Sequence, residues 1–536
     1  MATRNLILVL TAEHAYIKDI GRGGNATLAN EELFRAISST YIPFLNMLGK
    51  LERDSVPFSL SLVLPPQLCT LLTTPKLQKF YIEWLDKRIE LGDEELERNK
   101  DNPAILENVR ESVKKLQRDK IDFTDVYEKD IVTGFKRFAD KGLIELIPTA
   151  ATNANLPYFA DLPEALHAQI DVGLHAHRLF FGNTGEGFYL PYMAWSQKLD
   201  SILRSYNVNY TILDTRAFLF ATPPLETGIF TPARTHRSLV VFGRDWDTPT
   251  DIQGNIEAGG DSEGFMNNAV YRNEERDIGY DLDSKTLKTF FGGTKQRQQT
   301  LYKYFNNSES ETDNIYNVSQ AQEQVKKDAR IFVDAKTAKL ENAEQYLNGA
   351  DNTLTCCIPL ELLGTKWHEG IDWLESIIRT VAERDDITLS ACSAHLQNQY
   401  KLPRFIPYPS SVEGTGYSEN LLDNKNSWMM PYIRKATERM IDLTERFPSE
   451  TGIKARLLTL GAKEVLLAQS GDLAKLISEG NLIDFAKDTF KHNILNFSAV
   501  FESLASNTVS TEWLCNIEKE DGIFPWLSYK VFSKKK

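Results

Sequence analysis

Cysteine is scarce in this chain of 536 residues, with five in all. They stand at positions 69, 356, 357, 392 and 515, without paired spacing. That excludes a disulfide scaffold and suits reduced thiols in a cytoplasmic protein. Positive charge is short too. Lys and Arg number 61 against 74 Asp and Glu, a net charge of −13, so neither nucleic acid nor an anionic membrane is an expected partner. The basic tail Ser533-Lys534-Lys535-Lys536 reads as a solvated end. No apolar run approaches the roughly 20 residues that cross a bilayer. Residues 5–10 are too short for a signal sequence and read as a buried strand. A phosphate loop ending Gly-Lys-Ser/Thr, a G-x-S-x-G elbow and a Cys/His zinc cluster are all missing, so no metal and no cofactor is expected. His175-Ala176-His177 has an i,i+2 spacing that diverges on a helix and no third ligand nearby, which predicts a surface pair.

What is present is an ordinary folded composition, 42% apolar and 25% charged, in a chain long enough for two or three structural units. Short apolar runs recur at residues 6–10, 59–64, 143–148, 187–191, 210–213, 239–242, 354–358 and 387–391. Their hydrophobicity is continuous rather than alternating, which predicts strands buried on both faces of a parallel sheet covered by helices. Seven or eight such strands with helical crossovers point to a (β/α) barrel, whose active-site mouth lies just beyond the strand ends. Within the run 354–358, Cys356 and Cys357 are strand neighbours facing opposite ways, so a redox pair is not expected.

Two stretches break the pattern. Residues 87–137 are charge-rich and read as a pair of exposed inserted helices, with 94–98 and 114–118 as solvated faces. Residues 243–293 are rich in Gly, Asp and Asn and read as long loops over one end of the barrel. From about residue 425 amphipathic helices take over, at 430–446, 455–469 and 482–504, with Gly471 and Gly480 as stops. The expected division is therefore a barrel domain, 1–424, and a helical C-terminal domain, 425–536.

Several ordered stretches carry a resemblance along almost the whole chain. They include Leu8-Val9-Leu10, Thr40-Tyr41-Ile42-Pro43, Phe242-Gly243-Arg244-Asp245, Arg276-Asp277-Ile278-Gly279-Tyr280-Asp281, Glu361-Leu362-Leu363-Gly364 and Gln469-Ser470-Gly471-Asp472. The sequence resembles glycoside hydrolase family 57, in its α-1,4-glucan branching enzyme branch. The resemblance implies a (β/α)7-type parallel barrel with inserted helices and a helical C-terminal domain. It also implies a retaining mechanism, which needs two carboxyl groups about 5–5.5 Å apart.

Neither family carboxylate is in its place. The nucleophile motif W-L-P-E-C-x-Y corresponds to Tyr189-Leu190-Pro191-Tyr192-Met193-Ala194-Trp195, with Tyr192 at the Glu position. The acid/base Asp, two residues before E-L-F-G-H-W, is replaced by Pro359, which has no ionisable group. The opening strand ends Thr11-Ala12-Glu13 where the family has H-A-H, and Asn153 stands for the His of A-T-H-G-x-L-P. Val412 and Leu473 stand where the family has Trp. Carboxylates near other strand ends are the candidates for a rebuilt site. Glu361 shares a strand face with Pro359, and Glu13, Asp214 and Glu186 lie close to strand ends. A tyrosine nucleophile at Tyr192 is a further route, since sialidases use one.

The resemblance also places Arg272, Gln469 and Asp472 where the family contacts sugar, and Trp195, Trp428 and Tyr417 offer rings for stacking. His368, beside Glu369, reads as a packing or surface histidine. The expectation is a cytoplasmic, catalytically inactive relative that binds an α-glucan such as amylose or glycogen, or serves as a protein partner in glucan metabolism. The alternative is an active branching enzyme or 4-α-glucanotransferase with a rebuilt site. A scaffold without sugar affinity is the third reading.

Overall fold

The computed structural model describes residues 4–18, 25–256, 259–291, 299–310, 314–347, 349–397, 399–520 and 522–535. Residues 292 and 293 of the Gly-rich stretch and Lys536 of the basic tail lie outside them. Strand β1 (Arg4–Thr11) pairs in parallel with β2 (Leu60–Val63) and with β7 (Asn352–Pro359), and β2 pairs with β3 (Ile144–Leu146). Strand β4 (Tyr210–Leu213) pairs in parallel with β6 (Val240–Gly243), and the two-residue β5 (Ala233–Arg234) lies antiparallel to β6.

Isolated parallel bridges join these two sheets. Thr149 meets Tyr189, Gly187 meets Tyr210, and Arg244 meets Thr355. The staves thus run β1, β2, β3, the 187–189 segment, β4, β6, β7 and back to β1, a (β/α)7-type barrel. The 187–191 run occupies a stave by single bridges only, because Pro191 and a left-handed Tyr192 (φ 59°) end it within one short turn. The run at 387–391 forms β8 (Ile387–Leu389), which pairs with the first residues of β1 rather than serving as an eighth stave.

Side-chain alternation explains why the strands are apolar on both faces. Ile7, Val9, Val63, Tyr210, Ile212, Val240, Phe242 and Cys357 pack together in one cluster inside the barrel. Leu6, Leu8, Leu10, Leu60, Leu62 and Cys356 belong to the larger cluster shared with the surrounding helices. Cys356 and Cys357 thus face opposite ways, both buried, with burial pushing both thiols up.

The inserted stretch differs from its expectation. It holds the helices Pro75–Arg98, Pro103–Ile121 and Ile131–Asp140, and its charged faces are not all solvated. Arg88, Glu95 and Asp119 are buried. The Arg88 guanidinium stacks 3.7 Å above the Trp84 ring and pairs with Glu31 at 2.7 Å. Glu95 accepts from the Tyr304 hydroxyl at 2.9 Å. The 243–293 region carries the helices Asp247–Gln253 and Ser284–Phe291 between its loops. His177 is buried rather than paired on the surface, its imidazole pushed down to about 4 by burial. His175 lies 4.1 Å from the Trp526 ring.

The helical segment follows the sequence closely, with Met430–Arg446, Gly452–Ala468, Ile483–Ser506 and Thr511–Glu520. Gly471 does not stop a helix. It opens Gly471–Glu479, which ends at a left-handed Gly480 (φ 82°). That short helix brings two C-terminal side chains to the barrel. Among the described residues no helix is long and apolar enough to cross a membrane.

Candidate functional site at the barrel mouth

Beyond the strand ends, side chains from four parts of the chain converge. Because β1 and β7 pair in register, Thr11 with Pro359, the residues that follow them are neighbours. The Glu13 backbone N–H donates to Oε1 of Glu361 at 3.0 Å. The Tyr41 hydroxyl donates to the same oxygen at 2.6 Å. Burial pushes the Glu361 carboxyl up to about 7, against the pull of those two donors. Pro359 itself is exposed at the strand end.

Tyr192 is 2% exposed. Asn153 Nδ2 donates to its hydroxyl at 3.3 Å and to Asp472 Oδ1 at 2.7 Å. Asp472 also accepts from Ser470 Oγ at 3.1 Å and from Gln67 Nε2. Burial, with Glu13 adding repulsion, pushes its carboxyl up to about 6 despite these donors. One turn further along the same helix, Lys475 Nζ donates to Glu13 Oε2 at 3.3 Å and to Glu413 Oε1 at 2.9 Å. Burial works against its charge, but the two carboxylates hold the ammonium pKa up. Lys475 also lies 5.8 Å from the centre of the Tyr192 ring.

Four of the sequence candidates, Glu13, Glu361, Tyr192 and Asp472, therefore share one network. The others sit elsewhere. Asp214 is fully buried and clamped by Arg216 at 3.1 Å and Arg244 at 2.8 Å. Gln469 bonds to Gln169 and Thr437 between packed helices. Arg272 pairs with Glu274 at 3.0 Å. Glu186 accepts from Asn209 Nδ2 at 2.9 Å in an exposed turn before the 187–189 stave.

Trp195 offers no ring to a sugar, because it is 2% exposed within the core. Trp428 is half-buried, its ring edge-on to Phe490 at 5.3 Å. Tyr417, by contrast, is 58% exposed. Its hydroxyl lies 3.4 Å from that of Tyr408, and Tyr408 meets the exposed Phe220 ring at 5.5 Å.

Tyr41, Gln67, Glu413 and Lys475 were not singled out as site residues. Lys475 had a readable signal, since i and i+3 share a helix face and Asp472 was already marked. Gln67 follows the two prolines beyond β2, a barrel-mouth position. Tyr41 and Glu413 had no local signal, because their partners are distant in sequence. Among the described residues no group of three His, Cys, Asp or Glu is placed to hold a metal ion.

As chemistry, the network is rich in carboxylates, and each accepts a hydrogen bond from protein. Two of them, Glu361 and Asp472, hold their protons nearer neutrality than carboxyl groups ordinarily do.

Comparison with known proteins places the fold. A family model described as glycosyl hydrolase family 57 matches residues 7–407, and one described as 1,4-alpha-glucan branching enzyme, C-terminal, matches residues 432–532. The 1,4-alpha-glucan branching enzyme TK1436 of Thermococcus kodakarensis is 24% identical over 523 residues, covering 92% of this chain and 73% of that protein. The α-amylase AmyC from Thermotoga maritima superposes with a TM-score of 0.89 at 27% identity, covering 100% of both chains. The branching enzyme from Pyrococcus horikoshii shares the fold at a TM-score of 0.85 and 21% identity, covering 99% of this chain and 97% of that one.

Proposed function

The chain belongs to glycosyl hydrolase family 57, and on that basis we propose that it binds an α-glucan without cleaving it. What carries this reading is the residue type at the two positions that the motif resemblance sets against the family's catalytic pair. One holds Tyr192, buried and bonded to Asn153. The other holds Pro359, which cannot donate or accept a proton. Glu361 apart, the other candidate carboxylates are already engaged. Glu13 and Glu413 share Lys475, Asp472 is held by Asn153, Gln67 and Ser470, and Asp214 is held between two arginines. A nucleophile needs a free oxygen aimed at the anomeric carbon.

Sugar affinity is supported by the exposed rings of Phe220, Tyr408 and Tyr417, whose apolar faces and hydroxyl tips suit stacking on glucose units. The same reading includes a barrel part, 1–424, a helical part, 425–536, and a role as a regulatory partner in glucan metabolism. The free cysteines are in keeping with a reducing, cytoplasmic setting.

One observation favours the rebuilt-site alternative. A carboxyl held near 7 is what a general acid at neutral pH requires, and Glu361 has that value. The test is incubation of purified protein with amylose, read by iodine absorbance, beside an active branching enzyme. Unchanged absorbance together with retention on immobilised amylose is the expected result. A fall in absorbance that disappears in Glu361→Gln would overturn it in favour of a rebuilt site. Unchanged absorbance without retention would leave a scaffold.

A further inference from the structure

A cavity of about 240 Å³ lies between the helix Pro103–Ile121 and the start of the helix Gly370–Ala382. None of Glu13, Tyr41, Asn153, Tyr192, Glu361 and Asp472 lines it. One water needs about 10–15 Å³ on this measure, so the space takes roughly 20 heavy atoms. Its floor is polar. Glu369 is 2% exposed; its Oε1 accepts the Arg272 backbone N–H at 3.1 Å, and its buried Oε2 has no donor in full hydrogen-bond geometry, although the Tyr316 hydroxyl is close enough to favour the charged carboxylate. An acceptor left bare in the interior costs about 1–3 kcal/mol, which a ligand hydroxyl would relieve.

Beside it, the ring of Tyr316 packs edge-on to His368 at 6.0 Å. Burial, reinforced by Arg272, holds the His368 imidazole neutral, so one ring nitrogen donates and the other accepts. Arg272 and Lys303 are locked onto Glu274 at 3.0 and 2.5 Å, which keeps the floor rigid. Donors and acceptors mixed in this way suit a polyhydroxylated molecule.

The rim differs in charge. Lys114 and Arg118 project from the long helix as exposed side chains. Lys114 has one distant ion-pair partner, Glu111 at 3.7 Å, and Arg118 has none among the described ion pairs. With Lys115, Arg272 and Lys303, five cationic side chains line the cavity against the carboxylates of Glu111, Glu369 and Asp372. Lys115 is paired with Asp119, and Arg272 and Lys303 with Glu274, so the weakly compensated positive charge lies at the rim, on Lys114 and Arg118, where it favours an anionic group at the opening.

We propose that this cavity binds a phosphorylated monosaccharide, its hydroxyls held by Glu369, His368 and Tyr316 and its phosphate by Lys114 and Arg118. Of the residues in the glucan reading the site shares only Arg272, here locked onto Glu274, and none of the barrel-mouth network lines it.

Isothermal titration of the full chain with glucose 6-phosphate tests it, with glucose and inorganic phosphate as separate titrants. The expected result is sub-millimolar binding, about tenfold tighter than either fragment. The double variant Lys114→Ala/Arg118→Ala should weaken it by about tenfold or more. Both side chains are exposed, so melting temperature and amylose retention should not change. Glu369→Gln should weaken glucose 6-phosphate and leave phosphate alone unaffected. No heat with glucose 6-phosphate, equal affinity for phosphate alone, or full affinity in the rim variant would each overturn the proposal.

Discussion

Glu13 and Glu361 stand 348 residues apart in the chain, yet the backbone N–H of one donates to the carboxylate of the other at 3.0 Å. The contact exists because β1 and β7 lie side by side in the barrel. It places a buried carboxyl two residues beyond Pro359, which ends β7.

That carboxyl sets a pH dependence. Burial raises Glu361 from 4.5 to about 7, Glu369 likewise to about 7, and Asp472 from 3.8 to about 6. In this window the folded chain holds protons that the unfolded chain has released. Stability from these groups is therefore complete below about pH 4 and falls as pH rises through 6 to 7, by at most about 1.4 kcal/mol per pH unit and group. Urea midpoints between pH 5 and pH 7.5 should decline less steeply in Glu361→Gln than in the parent chain. Parallel declines would show that Glu361 does not titrate there.

Gly471 leaves no room for a side chain. A Cβ there would lie 2.5 Å from the Tyr192 hydroxyl oxygen and 2.8 Å from the Asn153 carbonyl oxygen. Gly471→Ala should cost about 1–3 kcal/mol. Tyr192→Phe removes the nearest of three clashes, leaving the ring carbon Cε2 at 2.8 Å, so the double variant should be less destabilised than the sum by about 0.5–1 kcal/mol. Denaturant unfolding of the four proteins measures this coupling, and strict additivity would mean that the Asn153 carbonyl and the ring edge, not the hydroxyl, bear the strain.

Removing Arg88 should be among the most damaging single changes in the inserted helices. The residue is 1% exposed and bonds to Glu31 and to the Gln299 carbonyl oxygen at 2.9 Å. Arg88→Ala strands those acceptors and empties the stack on Trp84, a loss of about 3–5 kcal/mol. Thermal unfolding checks it. A change within about 0.5 kcal/mol, the usual effect at an exposed position, would contradict the burial.

The exposed rings give the glucan reading its own test. Tyr408→Ala/Tyr417→Ala should reduce retention in amylose affinity gels by roughly 3–10-fold, corresponding to about 0.5–1.5 kcal/mol for lost aromatic contact. Melting temperature should move little, because Tyr417 is largely in solvent and Tyr408 packs only on the exposed Phe220 ring. Unchanged retention would place glucan binding elsewhere on the molecule.

Much of this protein was legible before folding. Strand positions could be read because side chains inside a parallel barrel are buried on both faces, so each stave carries a continuous apolar run. That Pro359 and Tyr192 carry no carboxyl group was equally plain, whatever surrounds them. The C-terminal helices announced themselves through their period, although Gly471 was read as an end when it is a beginning. That small residue is there because Tyr192 lies against it, a tertiary reason with no local trace.

Only the tertiary structure decided which groups meet. Closure of the barrel brings Glu361 to Glu13 and Tyr41, and docking of the C-terminal helices brings Asp472 to Asn153 and Lys475 to Glu13. It also sets Arg272 on a separate cavity and buries Trp195, Arg88 and Glu95. A periodic pattern reports which face of an element is covered. It does not report what covers that face, because the partner comes from another part of the chain through the packing of the whole.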